Sequence, residues 1–221
     1  MHKFSSRLIE FCKQTLSFDE QVSYGYQSLS VCILDCVYSL RAQYYSTTVP
    51  VVERYAARYM SGNRFAKGDT VSRLIANIEK SGGAELFAKN VLENRQVSGH
   101  VLKSEVCLQL ARYLRYLHIE TMEDFQKFEA PELLEVVVRS VKGMGDAGVN
   151  YLFMLTGDPN RCKPDVHIHH FIKDACGNDV SNDECQVLLT DVVEELRGYY
   201  PCLTVAMLDG IIWRKYQALR A

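Results

Sequence analysis

The sequence predicts an all-α protein, on three observations. Apolar residues recur at three- and four-residue spacings, as in Val71, Leu74, Ile75 and Ile78, or in Val106, Leu110, Leu114 and Leu117. No stretch alternates polar and apolar residues for long, as a half-buried strand would. Caps and breakers separate the periodic stretches, among them Thr70, Ser81-Gly82-Gly83, Ser181-Asn182-Asp183-Glu184 and Pro201.

Phe4 to Leu16 carries Leu8, Ile9, Phe11, Cys12 and Leu16 and reads as an amphipathic helix. Ser17-Phe18-Asp19-Glu20 has a capping-box pattern that predicts a short restart. Ser28 to Leu40 presents a nearly continuous apolar face through Val31, Ile33, Leu34, Val37 and Leu40, which places it centrally in the fold. Thr47-Thr48-Val49-Pro50 opens a helix to about Met60, broken by Ser61-Gly62-Asn63. Thr70 caps the next helix, and Ala84 to Leu92 forms another. Asn94 to Lys103 is polar and cationic, and by itself reads as a solvated loop. Glu105 to Leu117 is a helix with Arg112 and Arg115 on its outer side, and Thr121-Met122-Glu123-Asp124 starts a short one. Ser181 caps a helix reaching Arg197, and Val205 to about Leu219 is the last.

Composition excludes several function classes. The 221 residues are 48% hydrophobic and 24% charged, an ordinary globular balance. No apolar run approaches the roughly 20 residues that span a bilayer, and Arg7, Glu10 and Lys13 interrupt any signal-peptide core. The expectation is a cytoplasmic monomer without membrane contact. A net charge of −2 argues against coating nucleic acid by bulk charge, so DNA affinity would need a positioned patch and be salt-sensitive. The 8 cysteines contain no C-x-x-C pair, which leaves zinc-ribbon and iron–sulfur spacings unsupported and predicts free, mostly buried thiols. No cofactor is expected.

The most informative stretch runs from Pro131 to Phe171. Pro131 to Ser140 reads as a helix with proline and glutamate in its first turn. Val141-Lys142-Gly143-Met144-Gly145 is too glycine-rich to continue it, and Asp146 offers an N-cap for a second helix, Ala147 to about Leu155. The glycines leave bare amides at the mouth of that helix, where a phosphate can sit. After a polar loop comes Lys163-Pro164-Asp165-Val166-His167-Ile168-His169-His170-Phe171, with Asp165 at a helix start.

Gly143-Met144-Gly145, the apolar helix after it and the Pro164-Asp165-Val166-His167 step resemble the helix–hairpin–helix and following aspartate of the endonuclease III superfamily of DNA glycosylases. The resemblance implies two helical lobes. A six-helix barrel-like lobe over 28–177 would carry the hairpin (131–155) and the aspartate, and 1–27 would join 178–221 in the second lobe. Double-stranded DNA would lie bent across the cleft with one nucleotide extruded. The resemblance makes Asp165 the catalytic carboxylate. It places Lys142, Gly143, Met144, Gly145 and Ala147 at the DNA backbone and Gln43 in the hole left by the extruded base. Tyr38, Tyr44 and Tyr45 would line the base pocket, or simply cover the edge of the core. His167 and His170 would support the carboxylate or touch a phosphate.

Breaking an N-glycosidic bond builds positive charge on the sugar, which a nearby carboxylate stabilises while it positions water. Read by itself, Asp165 is first a helix N-cap; the hairpin at this spacing is what turns the resemblance toward catalysis. Glycosylases that also nick the strand use a lysine two residues after the second hairpin glycine. That position is Ala147, so the resemblance implies a monofunctional enzyme that leaves an abasic site. The arginine that family members frequently carry five residues after the aspartate is here His170. On a helix His167 and His170 share a face and His169 points elsewhere, with no partner spaced to complete a metal set. Three classes stay open: a base-excision DNA glycosylase, a non-catalytic helix–hairpin–helix DNA-binding module, and a helical interaction protein whose hairpin is only a turn. A basic patch of Lys142 with Arg41, Arg95 or Lys103 separates the first two from the third.

Overall fold

The computed structural model describes residues 2–18 and 25–218. Over these residues the protein is helical, with α1 (Ser5–Thr15), α2 (Leu29–Ser39), α3 (Val49–Tyr59), α4 (Val71–Lys80), α5 (Ala84–Asn90), α6 (Lys103–Tyr116), α7 (Met122–Gln126), α8 (Pro131–Ser140), α9 (Gly145–Leu155), α10 (Val166–Cys176), α11 (Asn182–Leu196) and α12 (Val205–Ala218). A π-helical turn, Tyr44–Thr48, leads into α3. One antiparallel ladder, β1 (Val97–Ser98) with β2 (Val101–Leu102), interrupts the helices, pairing Val97 with Leu102 and Ser98 with Val101. It occupies part of the polar Asn94–Lys103 segment, where no strand was expected, because two-residue strands are too short to show alternation.

The chain divides into two compact units, Gly25–Thr156 and Met1–Tyr24 with Gly157–Ala221. The lobe boundary expected at 177 therefore falls at 156 instead, and Asp165 belongs with the terminal helices. The cause is apolar: Ile168, Phe171 and Ile172 of α10 share a core with Leu8 and Cys12 of α1, Leu188 and Val192 of α11, and Leu208 and Ile212 of α12.

In the unit Gly25–Thr156 the centre is α2, every residue of which is buried. It packs against α3, α4, α6 and α9, so an all-round apolar sequence is what its position requires. Its approach to α9 is close: the Cys36 thiol donates to the Gly148 carbonyl at 3.1 Å, and a Cβ on Gly148 would lie 3.4 Å from both δ-carbons of Leu40. Thr70 caps α4 by accepting from the Arg73 amide at 3.2 Å. Thr48 caps nothing, because it is already helical (φ −72°, ψ −51°) where an N-cap must be extended.

In the terminal unit, Ser181 and Glu184 form the reciprocal cap of α11. Of the capping pattern at 17–20, Asp19 and Glu20 lie outside the described residues. All 8 cysteines are free thiols, and all but Cys202 are buried. Burial is the main force pushing the Cys12 and Cys185 thiols up to about 12, which leaves them un-ionised near neutral pH. Among the described residues no helix is long and apolar enough to cross a membrane.

Candidate functional site

The hairpin forms where the sequence places it. Helix α8 stops as Val141 turns extended, and the Met144 amide donates to the Val141 carbonyl at 3.1 Å, closing a turn over Lys142 and Gly143. Gly143 has φ +105°, and a Cβ there would lie 3.1 Å from Val106 Cγ2 and 3.3 Å from the Ser98 carbonyl oxygen. The Ser98 hydroxyl donates to the Gly143 carbonyl at 2.6 Å, so β1 braces the turn directly. Gly145 is exposed at φ +60° with nothing within 4 Å of an added Cβ, so conformation alone demands glycine there.

Asp146 is not the N-cap. Helix α9 begins at Gly145, and Asp146 sits in its first turn, ion-paired with Arg139, which also holds Glu135 at 2.9 Å. Met144, the residue before the first turn of α9, makes no side-chain cap. The amides of that turn keep the arrangement that binds anions. Lys142 is exposed beside them and Ala147 half-buried. Met144, expected at the DNA backbone, is only 2% exposed and has just its main chain to offer.

Asp165 caps α10. Its Oδ1 accepts from the His167 amide at 2.9 Å and the Ile168 amide at 3.4 Å, while Oδ2 lies 3.9 Å from Lys163 Nζ and the side chain is 21% exposed. The Asp165 amide donates to the Lys163 carbonyl at 2.6 Å, and the Lys163 amide donates to Asp209 Oδ2 on α12 at 2.8 Å. Asp209 is a residue that sequence reasoning missed. It is buried, and burial, followed by the negative charge of Asp165, raises its carboxyl well above the usual range. One lysine thus lies between a half-open carboxylate and a buried one whose carboxyl burial pushes up.

The three histidines diverge. The His167 and His170 rings stand 5.9 Å and 6.5 Å from the Tyr216 ring, His167 buried and His170 exposed. His169 Nε2 lies 3.0 Å from Asn182 Oδ1, and its Nδ1 lies 3.6 Å from Cys185 Sγ. Among the described residues no three His, Cys, Asp or Glu side chains converge to hold a metal ion.

In the other unit, the segment after α2 turns sharply at Arg41 (φ +52°), exposes Gln43 and enters the π-helical turn. Tyr38 is completely buried, its hydroxyl donating to the Asn94 carbonyl at 3.5 Å, because it lies on the inner helix α2. It therefore lines no open pocket. Tyr44 is half-buried and donates to Asp35 Oδ2 at 2.8 Å, and burial, then the Asp35 charge, raises its phenol. Tyr45 is 64% exposed, its ring edge-on to Tyr44 at 5.6 Å and 81°. Asp35 also accepts from Tyr26 at 2.8 Å and Tyr151 at 2.9 Å. The signal for it was present: it is the one charged residue in the apolar α2 sequence.

Lys103 corrects another expectation. It is 1% exposed and donates to the carbonyls of Tyr38 and Leu40 and to Gln96 Oε1, so it serves the interior and not a basic patch. Arg95 is exposed and paired with Glu85 at 2.7 Å, and Arg41 is exposed.

Compared with known proteins, the chain matches a family model described as a domain of unknown function (DUF8548) over residues 6–218. No curated protein and no solved structure matches it. The family match takes in both compact units, from α1 to the end of α12, and the chain belongs to this family.

Proposed function

We propose that the protein is a monofunctional DNA glycosylase of base excision repair, acting on double-stranded DNA with one base flipped out. The observation that carries this reading is the glycine hairpin that opens α9 with no side-chain cap from Met144, followed one loop later by a half-open carboxylate at the start of α10. The first-turn amides and Lys142 hold a DNA phosphate, and Gln43 and Tyr45 meet the extruded nucleotide and the hole it leaves. Asp165 keeps Oδ1 on the helix amides and turns Oδ2 to the sugar, stabilising positive charge at C1′ and orienting water. Water adds to C1′ as the C1′–N bond breaks, and the base leaves with a proton. Ala147 stands where a lyase would carry its lysine, so the product is an abasic site.

The capping role of Asp165 favours a second reading, a non-catalytic DNA-binding module with the same hairpin. The test is base release from duplex oligonucleotides carrying a panel of damaged and modified bases, by the native protein and Asp165→Asn. Release by the native protein alone, with strand breaks only after alkali, supports the glycosylase. Salt-sensitive binding without release supports the module. Neither binding nor release refutes both and leaves the helical interaction protein.

A further inference from the structure

We propose that Asp35 is a positioning residue that sets the placement of an exposed aromatic platform, Tyr45, relative to the phosphate-binding hairpin. This rests on the DNA-binding reading above. Asp35 lies in the buried helix α2 without exposed surface, where an apolar residue would pack and a carboxylate carries a desolvation penalty. It accepts hydrogen bonds from three phenols on three separate elements. Tyr26 precedes α2, Tyr44 opens the π-helical turn, and Tyr151 lies in α9, the second helix of the hairpin. One carboxylate therefore ties the turn that carries Tyr45 to the helix whose first turn the reading above places at a DNA phosphate.

The link runs outward through the rings. Tyr44 is held at Asp35, Tyr45 stands edge-on against Tyr44, and most of Tyr45 is exposed. An exposed tyrosine braced this way loses little freedom when a base stacks on it, and stacking tolerates any base. The turn is a π-helical insertion, a conformation recurrent at functional sites, and Gln43 and Arg41 stand exposed just before it. Three buried phenols on a carboxylate would make a stable core without any of this. What points to a ligand is that one of the three continues, through ring contact, to an aromatic side chain left in solvent.

The test uses matched deletions in the full chain. Tyr44→Phe and Tyr26→Phe each remove one phenol donor from the same oxygen, Asp35 Oδ2, at the same 2.8 Å. Tyr44 makes the ring contact to Tyr45, whereas Tyr26 meets the Tyr44 phenol. Each variant is measured for its urea midpoint, its affinity for a duplex carrying one 2-aminopurine at a mismatch, and the 2-aminopurine fluorescence gained on binding. The expected result is similar loss of stability in both, with fluorescence gain near native in Tyr26→Phe and reduced in Tyr44→Phe. Tyr45→Ala is expected to weaken extrusion roughly tenfold, as loss of one stacking contact implies, with Tyr45→Phe restoring it. Equal fluorescence in Tyr44→Phe and Tyr26→Phe, or native behaviour of Tyr45→Ala, overturns the inference while leaving DNA binding standing. Failure of the native protein to bind the duplex overturns both together.

Discussion

Lys103 Nζ donates to the Leu40 carbonyl at 2.8 Å, just past the last turn of α2. With the Tyr38 carbonyl at 3.0 Å, it caps the C-terminal end of the central helix, where a cation also suits the helix dipole. A lysine that looks like a nucleic-acid contact in the sequence is a structural part of the core.

Replacing it tests that assignment. Lys103→Met strands two buried carbonyls, and the expected loss is about 2–6 kcal/mol, since each unpaired group costs roughly 1–3 kcal/mol. A lowered urea midpoint at an unchanged slope checks it. Weakened DNA binding at native stability would return Lys103 to the surface.

The two hairpin glycines should respond differently to alanine. Gly145→Ala meets only the left-handed backbone penalty, about 1 kcal/mol. Gly143→Ala adds contacts at 3.1 Å and 3.3 Å to a strained φ, for roughly 2–3 kcal/mol. Thermal unfolding of the two variants gives the order, and a larger loss at Gly145 would contradict the packing of the turn on β1 and α6.

Asp165 has two roles that substitution can separate. Asp165→Asn keeps a side-chain acceptor for the α10 amides and should fold with near-native stability, whereas Asp165→Ala should lose about 1 kcal/mol. Base release should vanish in both. Activity retained in Asp165→Asn would leave the residue a cap and nothing more.

Asp209 should make stability fall with rising pH. At acid pH both folded and unfolded chains hold its proton. As pH climbs through the ordinary carboxylate range the unfolded chain releases it and the folded chain keeps it, so folding is progressively disfavoured until the native group also ionises. Asp209→Asn preserves an acceptor for the Lys163 amide and removes this dependence. It should match the native protein near pH 3 and exceed it at pH 7. Equal stability at both pH values would mean that Asp209 folds as a carboxylate.

Lys142 is the exposed cation of the turn, and Lys142→Ala should weaken duplex binding uniformly across sequences. The slope of log affinity against log salt should shrink by about 1, the contribution of one phosphate contact. An unchanged slope would remove Lys142 from the DNA backbone.

Some of this was legible beforehand because it is local. The spacing of Leu74, Ile75 and Ile78 and the caps at Thr70 and Ser181 are short-range rules, and α4, α8 and α11 appear where they predict. The Asp146 cap failed because α9 already begins at Gly145 and Arg139 pairs with the carboxylate. Asp209 could not be found from its own surroundings, because the Lys163 amide that it accepts lies 46 residues away.

By itself, then, the sequence determined the helices, their order, the glycine hairpin and the chemistry of the residues beside it. These follow from periodicity and backbone sterics within a few residues. Only the tertiary structure decided that Lys103 and Tyr38 turn inward, that Asp165 folds with the terminal helices, and that Asp35 gathers phenols from Tyr26, Tyr44 and Tyr151. Burial and hydrogen-bond satisfaction are properties of the packed chain: whether a lysine meets water or a carbonyl is settled by what residues far along the sequence bring to it.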